Sequence, residues 1–323
     1  MTTGNPSNDS ESRRLEKRLK ERFIKAMATY HLIEDDDKIL VGLSGGKDSL
    51  LLTELLSNRA KIQHPRFSVE AIHVRMENIH YESDTSYLEQ FCADLGIRLH
   101  IVTTRFDTAS SPSEAVPSEA VPSEAVLSEA VPSEAVPSEA VPSEAVPSEA
   151  AAAAAVQHTA PIPAVQYTAE VPQSPSAIRR QKQPCFLCSW NRRKQLFNLA
   201  QQLGCNKIAL GHHQDDIIHT ALMNLTYQAR FATMPVRLEM RKMPLTIIRP
   251  LCLIKEQDIQ RWAAIQGYQK QQKLCPYETQ SHRTDIRQIY EQLEKLNPEV
   301  RYNIWGALEA DHKLTEDQEY ENQ

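Results

Sequence analysis

The sequence of 323 residues lacks features that define several large classes of proteins. No stretch approaches the about 20 consecutive apolar residues that a membrane-spanning helix needs, so no association with a membrane is expected. Residues 1–11 contain no apolar segment typical of a secretory signal, which predicts a cytoplasmic protein. Six cysteines are too few to form a disulfide-stabilised scaffold in a chain of this length.

Basic residues are absent from one long segment. The residues from Pro112 to Ala177 include nine Glu but no Lys, Arg or Asp. Without them the chain has 42 − 9 = 33 acidic residues against 36 basic ones, a charge of about +3 in place of the overall −6. This weakly basic remainder is compatible with a polyanionic partner and equally with an ordinary solvated surface.

The same segment is a low-complexity repeat. The pentad Pro-Ser-Glu-Ala-Val occurs seven times from Pro112, once with Leu127 in place of proline. A proline at every fifth position prevents a continuous helix, and the pentad has no aromatic residue with which to build a core. We therefore predict a disordered insert at residues 107–177, a disordered tail at residues 1–11, and one discontinuous domain formed by residues 12–106 and 178–323.

The predicted domain alternates between strands and helices. The predicted strands are residues 38–43, 67–76, 98–104 and 207–211, and the predicted helices are residues 14–30, 48–56, 85–95, 190–203 and 215–227. This alternation predicts an α/β fold with a parallel sheet that is covered by helices on both faces. A small hairpin at residues 236–248 and helices near residues 256–266, 284–296 and 298–310 are expected to follow.

A glycine-containing loop follows the first predicted strand. Its residues are Ser44, Gly45, Gly46, Lys47, Asp48 and Ser49. The glycines allow a phosphate to approach the backbone, the lysine adds a positive charge, and the amides at a helix N-terminus favour anions. The spacing matches neither the Walker A loop nor the dinucleotide fingerprint. A helix-capping turn is the alternative interpretation.

The cysteines suggest a metal site. Cys185 and Cys188 have the spacing of metal ligands, and Cys275 lies far along the chain. Because there is no second Cys-x-x-Cys pair, three thiolates would leave one position open at zinc, or one iron open in an iron–sulfur cluster. A redox-active pair is a third possibility. The remaining cysteines are predicted to be small buried residues: Cys92, Cys205 and Cys252.

Three motifs together resemble a known family. Residues 44–49 resemble the PP-loop of ATP pyrophosphatases, whose domains are adenine nucleotide alpha hydrolase-like. With Pro-Cys-Phe-Leu-Cys at 184–188, Gly-His-His-Gln-Asp-Asp at 211–216 and a later single cysteine, the chain resembles the tRNA 2-thiocytidine synthetase family. The resemblance covers roughly residues 38–105 and 183–310. Two departures are the insert and Glu278, where relatives often carry another cysteine.

The resemblance implies ATP-dependent thiolation of tRNA. The C2 carbonyl oxygen of cytidine 32, in the anticodon loop, would be adenylated and replaced by sulfur carried on a 4Fe-4S cluster. Cys185, Cys188 and Cys275 are the implied cluster ligands. ATP would bind residues 44–49 with help from Gly211 and Asp216, and the implied catalytic residues are Lys47, Asp48 and Asp215. The three aspartates at positions 48, 215 and 216 suit Mg²⁺, although the latter two equally suit a helix cap.

The implied partners are tRNA, a sulfur donor such as a cysteine desulfurase or sulfide, and a second copy of the chain in a homodimer. The basic residues near the cysteine pair that are predicted to contact RNA phosphates are Arg180, Arg192 and Arg193. A solvated helix face is the alternative interpretation of these residues. Two other functions remain open. One is a different PP-loop enzyme of the 2-thiouridine or lysidine type, and the other is a non-catalytic module that binds zinc and a nucleotide.

Overall fold

The computed structural model describes residues 6–105, 184–241, 243–275 and 282–315. The predicted insert at 107–177 lies outside these residues, so its disorder and the domain boundaries stay predictions. Helix α1 (Pro6–Thr29) differs from expectation, because the tail predicted at residues 1–11 is helical from Pro6 onward. Among the described residues, no helix combines the length and the hydropathy needed to cross a membrane.

Helices and strands alternate through the first part of the chain, as predicted. The remaining helices are α2 (Lys47–Ala60), α3 (Ser86–Leu95), α4 (Pro184–Leu203), α5 (Gln214–Gln228), α6 (Glu256–Gln266), α7 (His282–Leu296) and α8 (Val300–Ala310). The strands are β1 (Asp37–Gly42), β2 (Phe67–Met76), β3 (His80–Tyr81), β4 (Arg98–Thr104), β5 (Lys207–Ala209), β6 (Arg237–Glu239), β7 (Thr246–Ile248) and β8 (Lys273–Leu274). Helix α4 begins earlier than its predicted start at residue 190 and includes Cys185 and Cys188.

Six strands form one sheet in the order β4-β2-β1-β5-β7-β6. The neighbours from β4 to β7 are parallel, and β6 is antiparallel to β7. The parallel α/β sheet is therefore confirmed, and the predicted hairpin extends its edge. Strands β3 and β8 form a separate antiparallel pair.

Both faces of the sheet are covered because the central strand is apolar on both sides. Ile39 and Val41 of β1 belong to a large core with helices α1, α2, α5, α6 and α8, whereas Leu40 faces a second core. We call this second core the α4-side core, because it includes Leu187 and Ala200 of helix α4. Each fully buried leucine or isoleucine contributes roughly 1.5–3 kcal/mol.

The order of the strands fixes where a ligand would bind. The chain passes from β1 outward to β2 and β4, and then returns to β5 on the other side of β1. In open α/β sheets, ligands bind at the carboxyl ends of the strands where the order reverses in this way. The loops after β1 and β5 contain the two predicted nucleotide motifs, so the fold brings both motifs to this point.

Candidate functional site

The loop after β1 presents backbone amides at the start of helix α2. Gly45 has a φ of 82°, a left-handed conformation that favours glycine. Gly46 is the N-cap of α2 and, having no side chain, leaves the first amides of the helix uncapped. The amides of the first helical turn are therefore available to an anion. Ser49 Oγ donates to Gly46 O at 2.9 Å and lies 3.1 Å from Ser44 Oγ, so these hydroxyls stabilise the loop itself.

Lys47 lies at the first position of α2 and is held by two carboxylates. Its Nζ is 3.1 Å from Glu256 Oε1 and 3.3 Å from Asp48. Burial acts to lower the pKa of Lys47, but the two carboxylates outweigh burial and raise it. The amine therefore stays charged near the loop. Arg287 binds the other oxygen of Glu256 at 2.9 Å, which leaves that carboxylate paired if Lys47 turns toward a phosphate.

Gly211 allows the loop after β5 to approach helix α2 closely. A Cβ atom at this position would lie 3.1 Å from Ser49 N and 3.3 Å from Asp48 O, both of which are backbone atoms. In this geometry Gly211 supports the turn that presents the amides. Its role in binding ATP stays a prediction.

Replacement of Gly211 by alanine is expected to weaken ATP binding. The added methyl group must displace the backbone of the first turn of α2, which would misalign the amides that are predicted to bind the phosphates. We expect the Kd for ATP to rise about tenfold or more, an energetic cost of about 1.4 kcal/mol. Equilibrium titration would measure it. Gly306→Ala is the matched control, because no atom lies within 4 Å of a Cβ there; equal affinities for both variants would contradict the prediction.

The two aspartates of the second motif have different environments. His213 is the N-cap of α5 and forms a capping box with Asp216, so this aspartate helps to cap the helix. Asp215 Oδ1 accepts from Arg301 Nη2 at 2.7 Å, and Asp215 Oδ2 accepts from the backbone amide of Glu256 at 2.8 Å. Both oxygens of Asp215 thus have protein partners. The structure favours a structural role for Asp215 over the predicted catalytic one.

Asp48 and Asp216 remain candidates for binding Mg²⁺ on the phosphates. His213 Nε2 lies 3.8 Å from Asp48 Oδ1 and 3.4 Å from Asp216 Oδ2, so both carboxylates flank one imidazole. Asp48 Oδ1 is buried and lies 3.3 Å from Lys47 Nζ, although the two atoms do not form a well-directed hydrogen bond. Burial raises the pKa of Asp48 by more than the neighbouring His213 and Lys47 lower it.

The predicted cluster cysteines lie on two segments that border one core. Cys185 and Cys188 are three residues apart on α4 and therefore share a helix face. Cys188 and Cys275 both pack against the α4-side core. Cys275 follows β8 directly, and Tyr81, in the partner strand β3, accepts a hydrogen bond from Arg192 of α4 at 3.2 Å.

The chemistry of these cysteines fits a metal cluster, because cysteine thiolates are the usual ligands of iron–sulfur clusters. All six cysteines of the chain lie in the described residues and none forms a disulfide. Cys185, Cys188 and Cys275 are half-buried, whereas the other three are buried as predicted. Within the residues that the structure describes, no three His, Cys, Asp or Glu side chains converge as a metal site requires. The ligand set and the Mg²⁺ site therefore stay predictions.

The structure describes two of the three predicted RNA contacts. Arg180 lies outside the described residues. Arg192 and Arg193 are half-buried on α4, where Arg192 binds Tyr81 and Arg193 Nη2 donates to Ser189 Oγ at 2.6 Å. Neither residue forms the fully solvated helix face that was the alternative. Contact with RNA phosphates stays a prediction for all three.

Three residues near the site were missed by the sequence analysis: Glu256, Gln271 and Arg301. Glu256 and Arg301 lie within helices whose only visible signal was an apolar periodicity. Gln271 precedes β8 in a segment without any recognisable motif. These residues reach the site through contacts with distant parts of the chain, which no local pattern records.

Comparisons with known proteins agree with the motifs. Residues 12–121 match the family described as the PP-loop domain. The tRNA-cytidine(32) 2-sulfurtransferase of Alcanivorax borkumensis is 27% identical over 298 residues, which are 92% of this chain and 81% of that protein. The tRNA-cytidine(32) 2-sulfurtransferase of Acidovorax ebreus is 28% identical over 260 residues, 80% of this chain, and the match spans 61% of that relative's length.

One solved structure shares the fold. It is the U34-tRNA thiolase NcsA from Methanococcus maripaludis with its [4Fe-4S] cluster, with a TM-score of 0.59 and 21% identity. The alignment covers 94% of this chain and 81% of that one. The resemblance predicted from the motifs is thus confirmed: residues 12–121 match the PP-loop domain, and the chain is similar along most of its length to the tRNA-cytidine(32) 2-sulfurtransferases.

Proposed function

We propose that this protein is an ATP-dependent tRNA-cytidine sulfurtransferase that exchanges the C2 oxygen of cytidine 32 for sulfur. The supporting observation is that residues 44–49, which we call the phosphate loop, are in direct contact with the segment before Cys275. Gln271 N donates to Gly45 O at 3.0 Å, four residues before that cysteine. A nucleotide on the loop and a sulfur carrier held by Cys275 would therefore share one end of the sheet, as a thiolation reaction requires.

Activation of the pyrimidine is the first task of such an enzyme. The carbonyl oxygen at C2 is a poor leaving group until it is bonded to phosphorus. In the proposed first step this oxygen attacks the α-phosphate of ATP, the bond to the β-phosphate breaks, and pyrophosphate leaves. Lys47 and the amides of α2 would stabilise the negative charge on the phosphates, and Asp48 with Asp216 would hold Mg²⁺.

Exchange of oxygen for sulfur is the second task. A sulfur nucleophile forms a bond to C2, and AMP departs with the former carbonyl oxygen. Cys185, Cys188 and Cys275 would hold the 4Fe-4S cluster, which, with only three protein thiolates, supplies one iron open to sulfur. The apolar side chains of the α4-side core, including Leu187 and Met76, would exclude water from the activated pyrimidine.

The remaining parts of the proposal concern partners. Arg180, Arg192 and Arg193 are proposed to attract RNA phosphates, which would position the anticodon loop without reading its sequence. A cysteine desulfurase or free sulfide would supply the sulfur. We propose that the protein acts on tRNA in the cytoplasm. The proposed assembly is a homodimer.

Analysis of the nucleosides in tRNA tests this function. Anaerobically purified, cluster-loaded protein would be incubated with tRNA, ATP, Mg²⁺ and sulfide, and the digested tRNA examined by mass spectrometry. We expect 2-thiocytidine, with one AMP released for each sulfur incorporated. A tRNA whose cytidine 32 is changed to uridine is the matched control, and it should gain no sulfur.

Four results would contradict the proposal. Absence of a thiolated nucleoside, with the cluster intact and tRNA bound, would exclude thiolation. Formation of 2-thiouridine would show that the substrate is a different pyrimidine. A colourless protein that still releases pyrophosphate would indicate another type of PP-loop enzyme, and bound zinc without ATP turnover would indicate a binding module.

A further inference from the structure

Gln271 packs directly on the phosphate loop. Its side chain is only 9% exposed, and its backbone amide donates to Gly45 O at 3.0 Å. A Cβ atom built on Gly45 would lie 2.7 Å from Gln271 Cβ and closer still to its Cγ. Glycine is therefore required at position 45 twice, by its left-handed φ and by the approach of Gln271.

Both polar ends of the Gln271 side chain are held by a second segment of the chain. Its Oε1 accepts from Ser83 Oγ at 2.8 Å, and its Nε2 donates to Asp84 O at 2.5 Å. Because Gln271 is buried, its amide oxygen and nitrogen both need hydrogen-bond partners, and Ser83 and Asp84 supply them. Gln271 thus connects the phosphate loop to the segment that follows β3.

The contacts continue without interruption toward Cys275. Gln272 N donates to Ser83 Oγ at 2.9 Å, and Glu82 N donates to Gln272 O at 3.0 Å. Strand β8 then pairs with β3, and Cys275 is the next residue. Four extended residues span at most about 13 Å, so the loop contact and the thiol are linked by a short stretch of chain with few free torsions.

We propose that Gln271 is a positioning residue that couples nucleotide binding on the phosphate loop to the exposure of the Cys275 thiol. The inference rests on the proposed function, in which ATP binds the loop and Cys275 holds the cluster. A phosphate that binds the loop amides fixes the backbone of Gly45. The Gln271 side chain, which packs on Gly45 and binds Ser83 and Asp84, transmits this order to β3 and β8. Such coupling is reciprocal, so binding of the cluster at Cys275 also changes the affinity of the phosphate loop for ATP.

Alkylation of Cys275 in the cluster-free full-length protein tests the coupling. Rates of modification by N-ethylmaleimide would be measured by peptide mass spectrometry, with and without a non-hydrolysable ATP analogue and Mg²⁺. In the wild-type protein we expect the nucleotide to slow modification at least about fivefold, the lower end of typical coupling between two sites. In Gln271→Ala we expect the two rates to be nearly equal.

The ratio of rates separates coupling from a general loss of stability. A variant that is merely loosened modifies faster in both conditions, and its ratio is unchanged. Gln272→Ala is the matched control, because the Gln272 side chain is exposed and its contacts to Ser83 and Glu82 use backbone atoms only. It should keep the wild-type ratio. Gln271→Met preserves the volume without the hydrogen bonds, and it replaces the alanine variant if that protein does not fold.

Two outcomes would overturn this inference without contradicting the proposed function. One is a wild-type rate that does not respond to bound nucleotide, and the other is a Gln271 variant, folded and saturated with nucleotide, that keeps the wild-type ratio. Binding of the analogue is titrated in the same samples. If the wild-type protein does not bind it at all, the proposed function fails together with the inference.

Discussion

Replacement of Lys47 by alanine is expected to reduce the rate of tRNA thiolation by a factor of at least about 10²–10³, the usual cost of losing one group that stabilises charge in a transition state. Lys47 is the only cation that the described residues place at the start of α2, and its amine reaches both Asp48 and Glu256. The fold should survive, since Glu256 keeps Arg287 as a partner. Single-turnover thiolation of tRNA measures the effect.

The controls separate nucleotide chemistry from the cluster. Lys47→Ala should keep the visible absorbance of the cluster, whereas Cys185→Ser should lose both absorbance and activity. Lys61→Ala removes an exposed lysine at the other end of the same helix and should behave like the wild-type protein. If Lys47→Ala thiolates tRNA at the normal rate, the phosphate site lies elsewhere.

Arg301→Ala is expected to lower the free energy of unfolding by about 3–5 kcal/mol, because it leaves a buried carboxylate without its counter-ion. Arg301 is 6% exposed, and its Nη2 lies 2.7 Å from Asp215 Oδ1 and 2.9 Å from Glu294 Oε1. This contact joins α8 to α5, directly beside the His213 cap. Urea denaturation at pH 7, followed by circular dichroism, measures the change.

The pH dependence of the same pair has a definite sign. Burial would raise the pKa of Asp215, but Arg301 and the Glu256 amide outweigh burial and lower it. A carboxylate with a lowered pKa stabilises the fold fully above its unfolded pKa of about 3.9, and this contribution is lost as the pH falls through the lower folded value. The difference between wild-type protein and Arg301→Ala should therefore shrink in acid.

Two variants control this prediction. Lys295→Ala changes an exposed residue of α7 and should alter stability by no more than about 0.5 kcal/mol. The double variant Asp215→Asn with Arg301→Leu removes both charges and should cost less than the sum of the single changes, because the two sites interact. A loss below about 1 kcal/mol for Arg301→Ala would show that the pair is not a major support of the site.

Local patterns were sufficient for most of the architecture. The strand predicted at residues 67–76 has the observed bounds of β2, whose mainly apolar central residues are buried between a neighbouring strand on each side. The loop between β1 and α2 was also predicted at its observed place, since glycines at the end of a strand leave few alternatives. The start of α4 was predicted too late, because a Cys-x-x-Cys pair carries no helical signal of its own.

The sequence by itself determined the parallel α/β fold, the phosphate loop at residues 44–49 and the three cysteines that are candidates for a cluster. Only the tertiary structure decided how the neighbouring aspartates differ: Asp215 is neutralised by Arg301, whereas Asp216 caps a helix. It alone also revealed the contact of Gln271 with Gly45. The physical reason is that charge pairing and close packing depend on distances between residues far apart in the chain, which folding sets and local sequence does not encode.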